Sequence, residues 1–522
     1  MNLKRSLLSF TVSLLLSFVF AAVPASAQVT FTRDVAPILH ARCVSCHRPG
    51  EAAPMPLRTF AEARPFARAI KERVVARKMP PWPADRSIGE FTNDPSLTDR
   101  EIATIVEWVD TGASQGDPAS LPAVPQFTDG WQLGEPDLIV DLPEIQVPAT
   151  GSDLFPLPSV AVNMAEDRWV RAVEIRPSNR RVAHHAVLFA GGNGLLQSSN
   201  PANVLAVWAV GTPPTVYPEG TGRWLRKDQT IATNLHYHPN GTATTDRMRV
   251  GFYFGKGELK KEVATAVAGN VTFEIPPQAT NYEMRGVYVA DQDISIVSFF
   301  PHMHLRGKSM TMTATFPDGR RQVLLNVPNY DFNWQLFYYP RDAITLPRGT
   351  RVDVVAHYDN SSANRANPDP RLAVRFGETT SDEMMFGTFE FVPVEGVSPV
   401  RPPNDHLRID VIAKGLPADS TYLMTVPFVF RQMATAMTLP RSGDGVWYLT
   451  PRPAIVIDVP VTNITWNGNA FTFTTEVQVG GLGGRLNGSG VIGDDGTIRG
   501  EFTLPGGGRS PLGKFSGSRV GQ

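Results

Sequence analysis

The stretch FFPHMHLRG, Phe299 to Gly307, sets two histidines one residue apart inside an apolar run that closes on Leu-Arg-Gly. Successive side chains of an extended strand point to opposite faces, so the spacing predicts His302 and His304 on one face and Met303 on the other. Two neutral imidazoles on one rigid strand can grip a single metal ion, and imidazole suits zinc, copper, iron or nickel. Two ligands do not complete a site, so the remainder has to come from elsewhere in the chain.

The chain has ten histidines, and six of them fall in three close pairs: AHHAVLF (His184, His185), LHYHPNG (His236, His238) and PHMHLRG. An isolated histidine is an ordinary surface or core residue, but three pairs in one region favour metal. That region reads as β-sandwich material, with alternation in WVRAVEI, a Pro-Asp-Gly turn at 317–319 and frequent Gly or Pro breaks. His236 and His238 share a strand face just before the Pro239-Asn240-Gly241 turn. The neighbours His184 and His185 would diverge on a regular strand, so both reach one ion only at a strand end or a bulge.

Near the N-terminus, Lys4 and Arg5 precede an apolar run from Leu7 to Ala22, and Ala25-Ser26-Ala27 offers a small-residue cleavage site before Gln28. Residues 1–27 are therefore expected to be a secretory signal, and the mature protein to be periplasmic or secreted. The run is short of the ~20 residues that a span needs, and no membrane span is expected after cleavage. The chain holds only Cys43 and Cys46, both in CVSCH. C-x-x-C-H is the attachment signature of c-type haem. Cysteines three apart lie on one side of a helical turn, where their thiols can add to the two haem vinyl groups, and His47 follows as proximal iron ligand. A zinc knuckle would need further ligands nearby. The flanks read as helical: Asp34 as a cap, Thr59 to Glu62 and Thr98 to Glu101 as capping boxes, then Ile102, Ile105, Val106 and Val109 at helical spacing until Gly112. For the sixth position, Met79 in KMPPWPAD is the first candidate and Met55 in APMPL the second, because a thioether raises the potential of an electron-transfer haem. Residues 28–115 resemble single-haem cytochrome c domains that carry MPPWPAD, and this resemblance places the methionine ligand at Met79.

At 522 residues the chain should hold several domains, and 42% hydrophobic and 19% charged residues with a net charge of −1 give no reason to expect nucleic acid or an anionic membrane as partner. The expected plan is a small all-α cytochrome c unit (28–115), a linker (116–134), two mainly β sandwiches (135–285 and 286–400) and a β-rich unit (401–522) with hairpin signals at Asn467-Gly468 and Asp495-Gly496. The last unit is expected to be a small barrel or sandwich used for packing or docking.

Residues 135–400 resemble the copper type II, ascorbate-dependent monooxygenases, the family of peptidylglycine α-hydroxylating monooxygenase and dopamine β-monooxygenase. The order matches: His-His, then LHYH, then His-x-His followed by Leu-x-Gly, then DEM. The resemblance implies two jelly-roll-like domains and two copper ions, one held by His184, His185 and His236, the other by His302, His304 and Met384. Met385 is the competing methionine. It also implies hydroxylation of an aliphatic C–H bond, with one atom of O2 entering the product and the other leaving as water, and with ascorbate or a redox protein as external donor. The peptide carboxylate of the amidating branch meets an arginine, an asparagine and a tyrosine at places that here hold Phe300, Phe386 and Thr388, so a neutral or apolar small substrate is expected. His357 stands where the family has a cysteine and is read as a core residue or a support for the ligands, and His238 as a support for the ligands. The competing account is a non-catalytic exported haem and copper protein that carries electrons or holds copper.

Overall fold

Capping boxes form at both places the spacing marks. Thr59 Oγ1 accepts from Glu62 N (3.3 Å) and Glu62 Oε2 from Thr59 N (3.1 Å), starting the helix Phe60–Ala63. Thr98 and Glu101 do the same for Asp99–Asp110, which Gly112 ends at φ +100°. The computed structural model describes residues 28–521 apart from 52, 54, 128–129, 192–202, 378, 400–403, 429–430, 453–454 and 480–481, so the expected signal over 1–27 lies outside the described residues. Asp34 does not cap: its carboxylate reaches back to Thr30 N (2.7 Å), and the helix Ala36–Arg42 opens on Pro37 without a side-chain cap. Ile105 and Trp108, both fully buried, face Phe31 and complete a core of their own for this helical unit.

The rest is mostly strand, 43% of the chain against 12% helix. In the first β unit, one sheet runs Leu138–Asp141, Arg249–Phe254, Arg168–Arg176, Thr221–Leu225, Lys261–Glu262, and a second runs Ser159–Ala161, Thr230–Tyr237, Ala183–Ala190, Val204–Ala209. Apolar residues of both, such as Val170, Ile175, Leu188 and Leu235, meet in one core, as in a sandwich. In the second unit Ala264–Asn270, Met385–Pro393, Ile294–Met303 and Ile344–Leu346 face Arg321–Val327, Gly307–Thr315, Arg351–Tyr358 and Tyr282–Val289. The expected boundary at 285/286 is therefore displaced. Residues 264–270 pair in register with 385–391, so this stretch belongs to the second unit. Alternation along a strand fixes which face is buried but not which sheet the strand joins.

The last unit closes. From Thr421–Phe428 to Arg509–Arg519, eight strands each pair antiparallel with the next, and the last pairs with the first. The interior is filled: Trp447 stacks on Phe502 at 4.8 Å, and a side chain at Gly488 would meet the Phe473 ring. An unexpected helix, Asp405–Lys414, wedges Ile409, Ile412 and Ala413 between the barrel and Val287 and Val289 of the second sandwich. Among the described residues no helix is long and apolar enough to cross a membrane.

The helical unit is docked rather than loosely tethered. Trp82, Ala84 and Phe91 join the core of the second sandwich, where Tyr338 packs edge-on to Trp82 (4.9 Å) and Phe91 (5.6 Å).

Candidate metal and haem sites

Strand register decides which methionine faces the His-x-His pair. Met303 is paired with Met385 and His302 with Phe386, and cross-strand partners share a face. Met303 and Met385 are both fully buried in the sandwich core. His302 and His304 turn the other way, their rings 5.2 Å apart, into a cleft that Met384 also lines. The turn after the pair is tight: a side chain at Gly307 would come within 2.6 Å of Met303 Cβ. Glu383, fully buried, ties the two segments together by accepting from the backbone N–H groups of His304 (2.9 Å), Arg306 (2.6 Å) and Met384 (3.2 Å). Its burial pushes the carboxyl up to about 8.

The adjacent histidines meet the condition set by their spacing. The strand register shifts between Ala183 and His185, and His185 is paired with His236. Ligand atoms of His184, His185 and His236 lie within 4.8 Å of one another. His184 Nδ1 stands 3.3 Å from His185 Nδ1. His236 gives Nε2 to Asp153 (2.6 Å) and leaves a buried Nδ1 without a partner. All three rings thus turn Nδ1 inward. Asp153 also accepts from His238 Nδ1 (2.7 Å), whose side chain is 68% exposed, so His238 supports the cluster from the surface. Burial alone would raise the Asp153 carboxyl, but hydrogen bonds from His236 and His238 more than offset this and hold it below its usual range.

The second pair is oriented the opposite way. His302 Nδ1 bonds Gln335 Oε1 (2.8 Å) and His304 Nδ1 bonds the Asp382 carbonyl (3.2 Å), so both offer Nε2. Burial, first of all, lowers His184 and His302 to about 4 and His304 to about 3, and takes His185 well down. All four are neutral near pH 7, the form that binds metal. His357 stands apart, between Ser309 (3.2 Å) and Glu283 (3.5 Å). The donor sets fit copper: three imidazoles in one place, and two imidazoles beside a soft thioether in the other.

The cleft holds about 870 Å³ including its open mouth, and His185 of one cluster lines it together with His302, His304 and Met384 of the other. Its walls are aromatic, with Phe300 stacked on Phe337 at 4.6 Å. Among the described lining residues the one carboxylate besides the candidate sites is Glu390, which Arg223 (2.8 Å) and Ser298 (2.7 Å) already hold.

The segment Tyr330–Tyr339, YDFNWQLFYY, not among the residues singled out by spacing, touches both histidine clusters and the docked helical unit. Phe332 stacks on His184 at 5.5 Å and lies 5.9 Å from His304; Tyr330 Oη donates to Met303 O (2.7 Å); Gln335 bonds His302; Tyr338 meets Trp82. Six aromatics in ten residues were the available signal.

In the helical unit Cys46 N (3.1 Å) and His47 N (2.9 Å) both bond the Cys43 carbonyl, a turn that sets the two unpaired thiols on one side. Burial pushes the Cys43 thiol up to about 12 and raises that of Cys46. His47 donates Nδ1–H to Met55 O (3.0 Å), which leaves Nε2 for iron. Met55 therefore stands behind the imidazole, while its side chain packs on the helical core. The donor set fits a c-type haem. The docking places this turn against Gly211, two residues beyond Ala209, the strand partner of His185: a side chain at Gly211 would lie 3.6 Å from Cys46 Sγ and 3.8 Å from the Trp334 ring. Glu51 bridges Arg48 (2.6 Å) and Arg180, four residues before His184. No family model matches the chain, and no curated protein matches it.

Proposed function

We propose that the protein is an exported copper-dependent monooxygenase that hydroxylates an aliphatic C–H bond of a small neutral or apolar molecule with O2, reducing power arriving through the fused c-type haem unit. In fold terms the proposal is a cytochrome c-like unit on two jelly-roll-like copper domains. The observation that carries the reading is that His185 of one cluster lines the same cleft as His302, His304 and Met384 of the other. His184, His185 and His236 would hold one copper through Nδ1, and His302, His304 and Met384 the other through Nε2 and sulfur. Copper so bound supplies one-electron redox chemistry and a place for O2, and a bound haem supplies single electrons. The residues themselves exclude water with an aromatic wall, hold the imidazoles neutral, and aim them through Asp153, Gln335 and the Asp382 carbonyl. Cys46, Gly211 and Trp334 would set the haem edge against the first cluster, where electrons from ascorbate or a redox protein have to arrive. A cleft lined by residues of both clusters favours an enzyme over a simple carrier.

Substrate charge is opposed by the same wall. Displacing Arg223 from buried Glu390 would cost about 3–5 kcal/mol, more than a new cation contact returns. With Phe300, Phe386 and Thr388 in the cleft, glycine-extended peptides are expected to show no turnover in an amidation assay; efficient amidation would overturn the substrate class.

For the haem, Met79→Ala should abolish the methionine-to-iron charge-transfer band and lower the reduction potential, while Met55→Ala leaves the band intact. The motive is that Met55 already lies on the His47 side. Optical spectroscopy of both variants decides, and the reverse pattern would move the ligand to Met55. The function itself is tested by oxygen-18 transfer from O2 into product by copper-loaded, haem-bearing protein.

A further inference from the structure

Residues 337–341 run as an extended segment between two neighbours. On one edge Tyr338 exchanges both of its backbone hydrogen bonds with Phe299 (2.9 Å each), in the strand that goes on to His302 and His304. The other edge is filled by the helical unit. Thr92 N donates to Tyr339 O (2.9 Å), Arg341 N donates to Glu90 O (2.8 Å), and Phe91 bridges Pro340 antiparallel. Asn93 completes this edge with its side chain: Nδ2 donates to the Phe337 carbonyl (2.8 Å) and Oδ1 accepts from Tyr339 N (3.2 Å). A carbonyl only accepts and an N–H only donates, so both ends of the amide are fixed.

Alternation along the segment then sorts its side chains. Tyr338 turns into the core, where Trp82 and Phe91 hold it edge-on. Phe337 turns into the cleft and stacks on Phe300 at 4.6 Å, and the Phe300 ring lies within 15° of parallel to His302 at 6.1 Å.

We propose that the helical unit builds part of the substrate site: Asn93 is a positioning residue that holds Phe337 against Phe300 and so sets the apolar wall beside His302. The inference rests on reading the cleft as the substrate site. Asn93 acts through Phe337, since none of the described residues that line the cleft belongs to the helical unit. Removing the amide leaves the Phe337 carbonyl and the Tyr339 N–H unpaired, and the segment shifts to recover partners for them, taking the ring with it.

The test uses the full-length chain with its metals, kept reduced, and with 4-fluorophenylalanine at position 337. The 19F line of the native chain should be single and should move in Phe300→Leu, which reports the stack. Asn93→Ala should displace that line and weaken binding of Nile red, a neutral apolar dye read by its fluorescence, about tenfold, the equivalent of one buried hydrogen bond. Haem absorbance and copper content should not change. Asn93→Asp keeps the acceptor for Tyr339 and loses the donor for Phe337, so it should displace the line as well. Asp85 is the control, because it docks the same unit onto Asn326 (3.1 Å) instead; Asp85→Ala should leave the line and the dye affinity native. A native line in both Asn93 variants would overturn the proposal, as would a displaced line with native dye affinity, or haem or copper lost alongside. Equal displacement in Asp85→Ala would also overturn it, making docking as a whole the cause. Dye binding that is absent, or that Phe337→Ala does not weaken, would instead overturn the reading of the cleft as an apolar substrate site, and the 19F line would still show whether Asn93 sets the ring.

Discussion

If the proposed copper and haem sites are right, replacing His302 by alanine should cost one of two copper ions and all hydroxylation, with the covalent haem intact. The remaining partners at that place, His304 and Met384, are one imidazole and one neutral thioether, too weak a pair to retain the ion against a chelator. His184, His185 and His236 come from other strands, and Asp153 holds His236 in place, so the first ion should stay. The haem turn has its own core around Phe31, Ile105 and Trp108, and it should not register the change. Metal quantitation, a haem absorbance assay and product analysis together read the three outcomes. Unchanged copper content in the variant would contradict the assignment of the cleft.

Asp153→Ala should weaken copper at the first cluster by about 10–100-fold and leave the second within error. The carboxylate is the partner of His236 Nε2 at 2.6 Å, and that ring is 2% exposed. Without it a buried N–H loses its acceptor, at a cost of about 1–3 kcal/mol, and the ring is free to turn its lone pair away from the ion. His238 touches the same carboxylate but is mostly exposed, so His238→Ala should change the affinity by no more than about threefold. Competition titration with a chelator separates the two. An equal loss in both variants would mean that His238 is itself a ligand.

What could be read from the sequence follows the rules that are local. The period of two along a strand placed His302 and His304 on one face and Met303 on the other, and the crowding of His184 and His185 asked for the register shift that lies between Ala183 and His185. The capping boxes at Thr59 and Thr98 were equally local. The choice between Met384 and Met385 was not, because it depends on which residue stands opposite Met303 in a strand 82 positions later. Asp153 and Gln335 were beyond reach for the same reason: each lies in a loop and acts on a histidine across the fold, a pairing that no local spacing encodes. The boundary moved because Ala264–Asn270 carries a face pattern that suits either sandwich, and only its pairing with Met385–Pro393 assigns it. The docking of the helical unit through Trp82 and Phe91 onto Tyr338 is tertiary packing, which single-chain periodicity does not encode.

The most direct test of the central claim is an oxygen-18 experiment on protein carrying two copper ions and one haem per chain, reduced with ascorbate and offered a panel of neutral apolar molecules under 18O2. The account predicts an alcohol bearing one 18O atom, formed with consumption of two electrons per O2 and lost in His302→Ala. Consumption of O2 with no labelled product from any member of the panel, by protein that holds its full metal and haem, would contradict it and leave an electron carrier in its place.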